Sequence, residues 1–399
     1  MNNIEILMPA LSPTMEEGGI TKWLVKPGDT IRAGDLIAEI ETDKAIMEFE
    51  SACDGTISKL LVKEGSNQIK VNTPIALISD ESISTKEKNI TTKSNKNPSS
   101  SKATQPNLEA NNSGGVEKIK EIQKLFTVRE AIRDALAEEM RTDQNVFLMG
   151  EEVAEYEGAY KVSQGLLDEF GSERVIDTPI TEHGFTGLAA GAAFGGLRPV
   201  VEFMTFNFSL QAMDQIINTC AKTLYMSGGQ MNCPIVIRGP NGAASQVAAQ
   251  HSQDFAPWFA SVPGLKVIQP FSANDAKGLL KSAIRDPNPV IFLENEILYN
   301  DKSASSKISD ELIPIGKAKV LLEGSDVTLV SYGIGIKHSL IAVELANDID
   351  ISIELIDLRS IRPIDYETVF ESIRKTNRCI TVEECFPICS IGNHLSASI

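Results

Sequence analysis

The sequence of 399 residues lacks several features that define common protein classes. It contains no uninterrupted apolar run of about eighteen residues, the length that a membrane-spanning helix requires. Its first residues do not resemble a secretory signal, because they carry neither a basic segment nor a long apolar one. The six cysteines include no Cys-x-x-Cys pair, which argues against a zinc knuckle and a disulfide scaffold. We therefore expect reduced thiols in a cytoplasmic protein.

Positive charge is also scarce. The chain has 37 Lys and Arg against 54 Asp and Glu, a formal net charge of −17. Binding to nucleic acid or to an anionic membrane surface depends on cationic side chains, so we expect neither partner. What is present, 42% hydrophobic residues over this length, is typical of a globular protein with two or three domains.

A polar segment separates two parts of the chain. Residues 82–115 contain no aromatic side chain, and half of them are Ser, Thr or Asn. Such a segment buries too little apolar area to offset the entropy lost on ordering. We therefore predict a flexible linker over residues 81–118, which as a coil spans about 30 Å.

Residues 1–80 contain an internal repeat. Residues 20–28 match residues 57–65, and residues 35–40 match residues 73–78. Two copies of strand, glycine turn and strand predict a small all-β domain with two similar sheets. The segment between the copies predicts a hairpin with Lys44 near its tip. A lysine at a turn is ordinarily only solvated, but one on a tethered module also suits a covalent carrier group.

The remaining residues alternate between helical and strand-like segments. Four short apolar runs between residues 200 and 293 predict buried strands, and this alternation is typical of a parallel sheet covered by helices. We expect one α/β domain over residues 119–310 and a second over residues 311–399. In the second we predict a strand at 327–332 and a helix at 338–346.

Three residues of the first α/β domain are candidates for chemistry, although each has an ordinary structural explanation. Glu182 begins a predicted helix, where the helix dipole favours a carboxylate in any case. His251 stands alone, and a lone histidine is more often structural than catalytic. Phe208 could belong to the core. The residues taken singly therefore leave the question open.

Residues 1–79 resemble a lipoyl domain. Residues 41–45, Glu-Thr-Asp-Lys-Ala, match the attachment motif of that family, and residues 6–15 match its opening strand. A biotinyl domain would carry Met-Lys-Met at this turn. The resemblance implies a flattened barrel or sandwich with lipoate attached to Lys44.

The combined order of motifs from residue 126 to residue 384 resembles the beta subunits of thiamine-diphosphate 2-oxoacid dehydrogenases. The matching segments are residues 182–187, 202–216, 238–242 and 250–253. The resemblance implies a pyrimidine-type thiamine-diphosphate-binding domain followed by a transketolase-like C-terminal domain. It also implies that Glu182 bonds to the cofactor's aminopyrimidine ring, that Phe208 packs on that ring, and that His251 transfers a proton or orients substrate during acyl transfer.

One motif of such enzymes is missing. The chain has no Gly-Asp-Gly followed by Asn, the pattern that carries magnesium and diphosphate. The resemblance implies that an alpha subunit supplies them in an α2β2 heterotetramer, which works with a dihydrolipoyl acetyltransferase core and dihydrolipoyl dehydrogenase. It further implies a potassium site, although an ordinary loop that leads into a strand explains these residues nearly as well. Its oxygen ligands would come from Ile235, Ala283, Ile284, Asp286 and Asn288.

The substrate prediction depends on residues 202–209, which are similar to the pyruvate-specific members of the family. We expect oxidative decarboxylation of pyruvate, reductive acetylation of lipoyl groups and, through the partner enzymes, acetyl-CoA. A branched-chain 2-oxoacid dehydrogenase beta subunit and a non-catalytic lipoyl carrier or scaffold are the alternatives. Relatives usually continue beyond the point at which this sequence stops, so we expect an incomplete C-terminal domain.

Overall fold

The computed structural model describes residues 3–9, 17–32, 35–41, 46–51, 55–71, 73–79, 125–243 and 247–399. The chain divides into two compact units, residues 1–122 and 123–399, and each is described by itself. The predicted linker lies outside the described residues.

The described part of the first unit forms two four-stranded antiparallel sheets, with the strand orders β1-β8-β6-β3 and β5-β4-β2-β7. The strands are β1 Asn3–Leu7, β2 Glu17–Trp23, β3 Thr30–Ile31, β4 Leu36–Glu41, β5 Ile46–Glu50, β6 Gly55–Leu60, β7 Ser66–Lys70 and β8 Pro74–Ser79. The sequence repeat is visible in this arrangement. The first copy forms the central strands β2 and β4 of one sheet, and the second copy forms the central strands β6 and β8 of the other.

The core of this unit comes from matching positions of the two copies. Ile20 and Ile57 are both buried, and Ile37 and Ile75 are completely so. Side chains of a strand alternate between its two faces, so these isoleucines lie on the faces that the core covers. The predicted all-β domain is confirmed. Strands β4 and β5 pair up to Glu41 opposite Ile46, as a hairpin requires, but Lys44 itself lies outside the described residues.

The second unit contains a seven-stranded sheet, β10-β9-β11-β12-β14-β13-β18, and a four-stranded sheet, β15-β17-β16-β19. Its strands are β9 Val146–Gly150, β10 Val175–Asp177, β11 Arg198–Glu202, β12 Val236–Pro240, β13 Lys266–Ile268, β14 Val290–Glu294, β15 Lys319–Leu322, β16 Val327–Ser331, β17 Ile353–Asp357, β18 Ser360–Arg362 and β19 Cys379–Val382. Its helices are α1 Val128–Thr142, α2 Leu166–Phe170, α3 Glu182–Phe194, α4 Ala221–Met226, α5 Ala256–Ala260, α6 Ala273–Arg285, α7 Ile334–Asn347, α8 Tyr366–Thr376 and α9 Ile391–Ser398.

The large sheet confirms the predicted α/β arrangement. Its strands run parallel except β18, which pairs antiparallel with β13. Strands β9, β12 and β14 are buried along their whole length, as expected of strands covered by helices on both faces. Strand β18 comes from the C-terminal half of the unit, so the two halves share one sheet.

Local signals explain where several helices begin. Helix α1 starts with a capping box, in which Thr127 and Glu130 each satisfy the other's backbone N–H. Helix α3 is rich in glycine and alanine, and Ala189, Ala190 and Ala193 are buried against the sheet. Among the residues that the structure describes, no helix is long and apolar enough to cross a membrane.

Candidate active site at the carboxyl edge of the large sheet

Charged side chains gather where the parallel strands of the large sheet end. Glu151 directly follows β9, Glu202 ends β11, and Glu294 ends β14. Glu182 opens the helix that follows β10. The carboxyl ends of parallel strands meet at one edge of a sheet, which is where α/β proteins bind their ligands. This edge is therefore the candidate site.

Glu182 is buried, with 2% of its surface exposed. Its Oε2 atom is buried and has no hydrogen-bond partner among the described residues. A buried carboxylate oxygen without a partner is costly, so such an atom at a ligand-binding edge indicates a place where a ligand, an ion or a water can satisfy it. The N-terminus of α3 reduces part of this cost, because the helix dipole favours negative charge there.

Glu151 is a second buried acid at this edge, and our sequence reasoning missed it. It is 6% exposed, and its Oε1 atom has no hydrogen-bond partner within the described ranges. Burial, with the negative charge of Glu182 added to it, raises the pKa of Glu151 to about 7. A carboxyl group with this pKa exists in both protonation states near neutral pH. The sequence signal was an acid directly after an apolar strand, which is common at surfaces too.

Phe208 and His251 come together from separate segments. Phe208 lies in the 3-10 helix Phe206–Ala212, and His251 ends the short 3-10 helix Ala249–His251. Their ring centroids are 5.3 Å apart at an interplanar angle of 78°, an edge-to-face contact. Helix α3, which carries Glu182, packs against the 3-10 helix of Phe208. The three predicted residues thus belong to elements that pack on one another.

The Nδ1 atom of His251 is also buried and without a hydrogen-bond partner among the residues described. His251 borders a small cavity together with Tyr160, Asn241 and Glu296. The Tyr160 hydroxyl donates to Glu296 at 2.5 Å. Polar atoms of this kind can bind and orient a polar substrate, and an imidazole can also transfer a proton.

A network of buried ion pairs lies within the sheet next to this edge. Arg238, in β12, is completely buried and donates to the carboxylates of Glu202 and Glu294. The hydroxyl of Tyr299 donates to Glu294 at 2.6 Å. Burial raises the pKa of Glu202, while the guanidinium of Arg238 opposes that rise. The network joins three neighbouring strands just before the loops that carry the candidate site.

The predicted potassium ligands lie in one region, at the end of α6 and the start of β12. The carbonyl oxygens of Ile235 and Ala283 each accept one backbone N–H, from Val290 and Asp286 respectively, and so retain a second lone pair. The Ile284 carbonyl accepts from the Arg198 guanidinium at 2.9 Å. These hard oxygen donors fit potassium in kind, but a cation at the site would have to lie near Arg198.

The carboxylate of Asp286 pairs with the Lys266 ammonium and also accepts from the side-chain amide of Asn288 at 3.0 Å. Two of the five predicted ligands therefore already have cationic partners. Over the described ranges, no group of three or more His, Cys, Asp or Glu side chains is placed to hold a metal ion.

Family models match three parts of the chain. They are described as "Biotin-requiring enzyme" over residues 4–78, "Transketolase, pyrimidine binding domain" over residues 124–302 and "Transketolase, C-terminal domain" over residues 316–399. These matches confirm the predicted order of a lipoyl-type domain and two transketolase-type domains.

Several curated relatives are pyruvate dehydrogenase subunits. The "Pyruvate dehydrogenase E1 component subunit beta" of Rhizobium meliloti is 55% identical over 415 residues, which covers 99% of this chain and 89% of the relative. The protein of the same name from Rickettsia bellii is 60% identical over 274 residues, covering 69% and 84%. The mitochondrial protein of Saccharomyces cerevisiae is 57% identical over 279 residues, covering 69% and 76%.

A solved structure is similar in fold. "Split gene transketolase, inactive beta4 tetramer" has a TM-score of 0.58 and 24% identity, and the match covers 68% of this chain and 84% of that one. At this identity the likeness concerns the fold alone.

Proposed function

The chain belongs to the family of pyruvate dehydrogenase E1 component beta subunits, and we propose on that basis that it takes part in the oxidative decarboxylation of pyruvate. Its partner in this reaction is an alpha subunit, which supplies the magnesium and diphosphate site in an α2β2 heterotetramer. The acetyl group passes to lipoyl groups and, through an acetyltransferase core and dihydrolipoyl dehydrogenase in the cytoplasm, leads to acetyl-CoA.

Thiamine diphosphate, when bound, supplies a nucleophilic carbon and an electron sink for decarboxylation. With the cofactor bound, Glu182 would share a proton with its aminopyrimidine ring, and Phe208 would pack on that ring. His251 orients substrate or transfers a proton during acyl transfer. The observation that carries the proposal is the buried Oε2 atom of Glu182, which has no hydrogen-bond partner among the described residues and lies at the ligand-binding edge of the sheet.

The variant Glu182→Gln tests this role, because glutamine keeps the shape of the side chain but cannot hold an acidic proton. Decarboxylation of pyruvate is measured after co-expression with the cognate alpha subunit. We expect a loss of at least about a hundredfold, typical of removing a general acid or base, with unchanged assembly by size-exclusion chromatography. Glu173→Gln is the matched control, since Glu173 is exposed. Near-normal activity of Glu182→Gln would contradict the proposal.

Two outcomes would support the alternatives instead. A wild-type complex that decarboxylates 3-methyl-2-oxobutanoate faster than pyruvate would identify a branched-chain enzyme. A complex that assembles, carries lipoate and decarboxylates neither substrate would indicate a carrier or scaffold.

The first unit is proposed to carry lipoate on Lys44. Its two-sheet architecture and the match of residues 4–78 support this proposal. Lipoate forms an amide with a lysine amine, which an arginine guanidinium does not provide. Mass spectrometry should therefore find the lipoyl mass on the wild-type chain and on the control Lys59→Arg, and not on Lys44→Arg. Incubation of the wild-type complex with pyruvate should then add an acetyl group to the lipoylated chain, and an unchanged mass would exclude local acetylation.

The proposed potassium site has its own test. The thermal midpoint of the complex, measured in potassium chloride and in sodium chloride at equal ionic strength, should be higher in potassium. Asp286→Ala should remove this difference. Equal midpoints for the wild-type complex in the two salts would exclude a selective site.

A further inference from the structure

Glu384 follows β19 in the C-terminal half of the second unit, yet its carboxyl group contacts a loop of the pyrimidine-type half. The backbone N–H of Ala243 donates to Glu384 Oε2 at 2.9 Å. Gly242 has a φ of +84°, and a Cβ atom built on it would overlap the whole carboxyl group of Glu384. The loop of residues 241–243 therefore lies directly on this carboxyl group, at a position that only glycine can occupy without displacing it.

The same loop is bonded to the segment that carries His251. The Gly242 N–H donates to the Gln253 carbonyl at 3.1 Å. The side chain of Asn241 donates to Asp254 at 2.6 Å and accepts from the Phe255 N–H at 2.8 Å. Three hydrogen bonds thus join the loop to residues 253–255, two positions after His251.

This segment is joined to the Phe208 side of the site as well. The Gln253 N–H donates to the side-chain oxygen of Asn207 at 3.3 Å, and Asn207 precedes Phe208 in the chain. A displacement of the loop at Gly242 would therefore move Gln253, and with it the edge-to-face contact of His251 with Phe208.

We infer that Glu384 is a positioning residue, which holds the loop of residues 241–243 and thereby keeps His251 in place beside Phe208. A neutral carboxyl group accepts from Ala243 through one oxygen and adds no charge to the interior. An ionised group would introduce a negative charge close to Asp254, which is itself buried.

The surroundings of Glu384 favour the neutral form. The side chains that face it from neighbouring loops are Gln269 after β13, Asn295 after β14 and Asp254 before α5, and of these only Asp254 is titratable. Burial, with the charge of Asp254 added to it, raises the pKa of Glu384 to about 8, although the N–H groups of Ala243, Asn295 and Gln269, which donate to the carboxyl group, act in the opposite direction.

The two titratable residues next to Glu384 in the chain, Glu383 and Cys385, form hydrogen bonds with other groups. Glu383 accepts from the Tyr332 hydroxyl and from the first backbone N–H groups of α9, and Cys385 donates to Glu383. No ion pair with Lys, Arg or His reaches Glu384 within the described residues. The ionised form thus lacks a cationic partner.

The expected activity follows from this protonation. As pH rises through about 8, Glu384 loses its proton, and its charge then repels that of Asp254, to which the loop is bonded through Asn241. The loop is displaced, and kcat/KM for pyruvate falls. Glu384→Gln cannot ionise but still accepts from Ala243, so we expect wild-type activity at pH 7 without that fall. Glu384→Ala lacks the acceptor, and we expect a loss of about tenfold at pH 7, the equivalent of one hydrogen bond.

The experiment uses the α2β2 complex for the pH profiles and Glu371→Gln as the control, since Glu371 is exposed on α8. An identical fall near pH 8 in wild type and in Glu384→Gln, or no fall in wild type, would overturn the inference. Because a merely structural residue would lower activity equally at all pH values, the change in profile is the specific readout.

The pH profile rests on the proposed function, so a second measurement is made without substrate. Hydrogen exchange of the Gly242 and Ala243 amides is followed in the full chain. Exchange should be faster in Glu384→Ala and unchanged in Glu384→Gln at pH 7. Equal exchange in Glu384→Ala and wild type would refute the positioning role even in an active enzyme. A complex without any decarboxylase activity would refute the proposed function alone.

Discussion

Replacing Glu151 by glutamine should stabilise the second unit at pH 8 and have little effect near pH 4. Folding raises the pKa of this carboxyl group from 4.5 to about 7, because the ionised form is buried and lies near Glu182. The folded state therefore binds the proton more tightly than the unfolded state. The associated stability is fully present below pH 4.5 and is lost as pH rises toward and through 7. Glutamine has no proton to lose at these pH values.

The size of the effect follows from the shift. A shift of about 2.5 pKa units corresponds to about 3 kcal/mol at 1.36 kcal/mol per unit. Solvent that reaches the edge of the sheet screens part of this energy, so we expect a gain of about 1–2 kcal/mol at pH 8.

Urea unfolding measures the gain. The chain has two tryptophans, Trp23 in the first unit and Trp258 in the second, so the background variant Trp23→Phe leaves one reporter for the second unit. The free energy of unfolding is compared at pH 4 and pH 8, at one protein concentration. Glu173→Gln serves as the control. An equal gain at both pH values would refute the reasoning, because it would show that the ionised form carries no extra cost.

Two further predictions concern packing. Arg238→Met leaves the buried carboxylates of Glu202 and Glu294 without their cation, so it should lower the free energy of urea unfolding by about 3–5 kcal/mol. A loss below about 1 kcal/mol would show instead that water reaches these carboxylates. Gly264 has a φ of +97°, and a Cβ there would overlap the carbonyl oxygen of Ala221. Gly264→Ala should therefore lower the free energy of urea unfolding by at least about 1–3 kcal/mol. Its control is Gly191→Ala in α3, where, apart from the helix's own backbone, no described atom lies within 4 Å of a new Cβ. Equal stabilities of the two variants would contradict the assigned strain.

The sequence predicted a helix or strand well where the residues of that element themselves carry the apolar pattern or the cap. Helix α1 begins at Val128 because its capping box lies within four consecutive residues, from Thr127 to Glu130. Helix α7 begins at Ile334, four residues before the predicted start. A Cβ on Gly335 would overlap Ser331 Oγ and approach the Val382 carbonyl. Gly335 therefore permits close packing within the first turn of the helix.

The candidate site was only partly predictable. Phe208 and His251 were selected by a resemblance, and the structure brings their rings into contact. Glu151 and Glu384 escaped notice, because their distinctive surroundings come from residues far away in the sequence. The contact between Glu384 and Ala243, for example, joins positions 141 residues apart. Such positions become recognisable only when burial and nearby charge are known.

The pairing of β13 with β18 has a consequence for how the second unit comes apart. Val267 lies opposite Arg362, so β18, a strand from the C-terminal half, is the outermost strand of the large sheet on the side of β13. Neither half can unfold without breaking the hydrogen bonds between β13 and β18, which join the two halves. We therefore expect the second unit to unfold in a single cooperative transition. A fragment cut near residue 310 would expose the backbone edge of β13 to other molecules, and an exposed edge of this kind promotes aggregation. Attempts to produce the pyrimidine-type half alone should therefore retain β18 or replace it with a strand that fills the same edge.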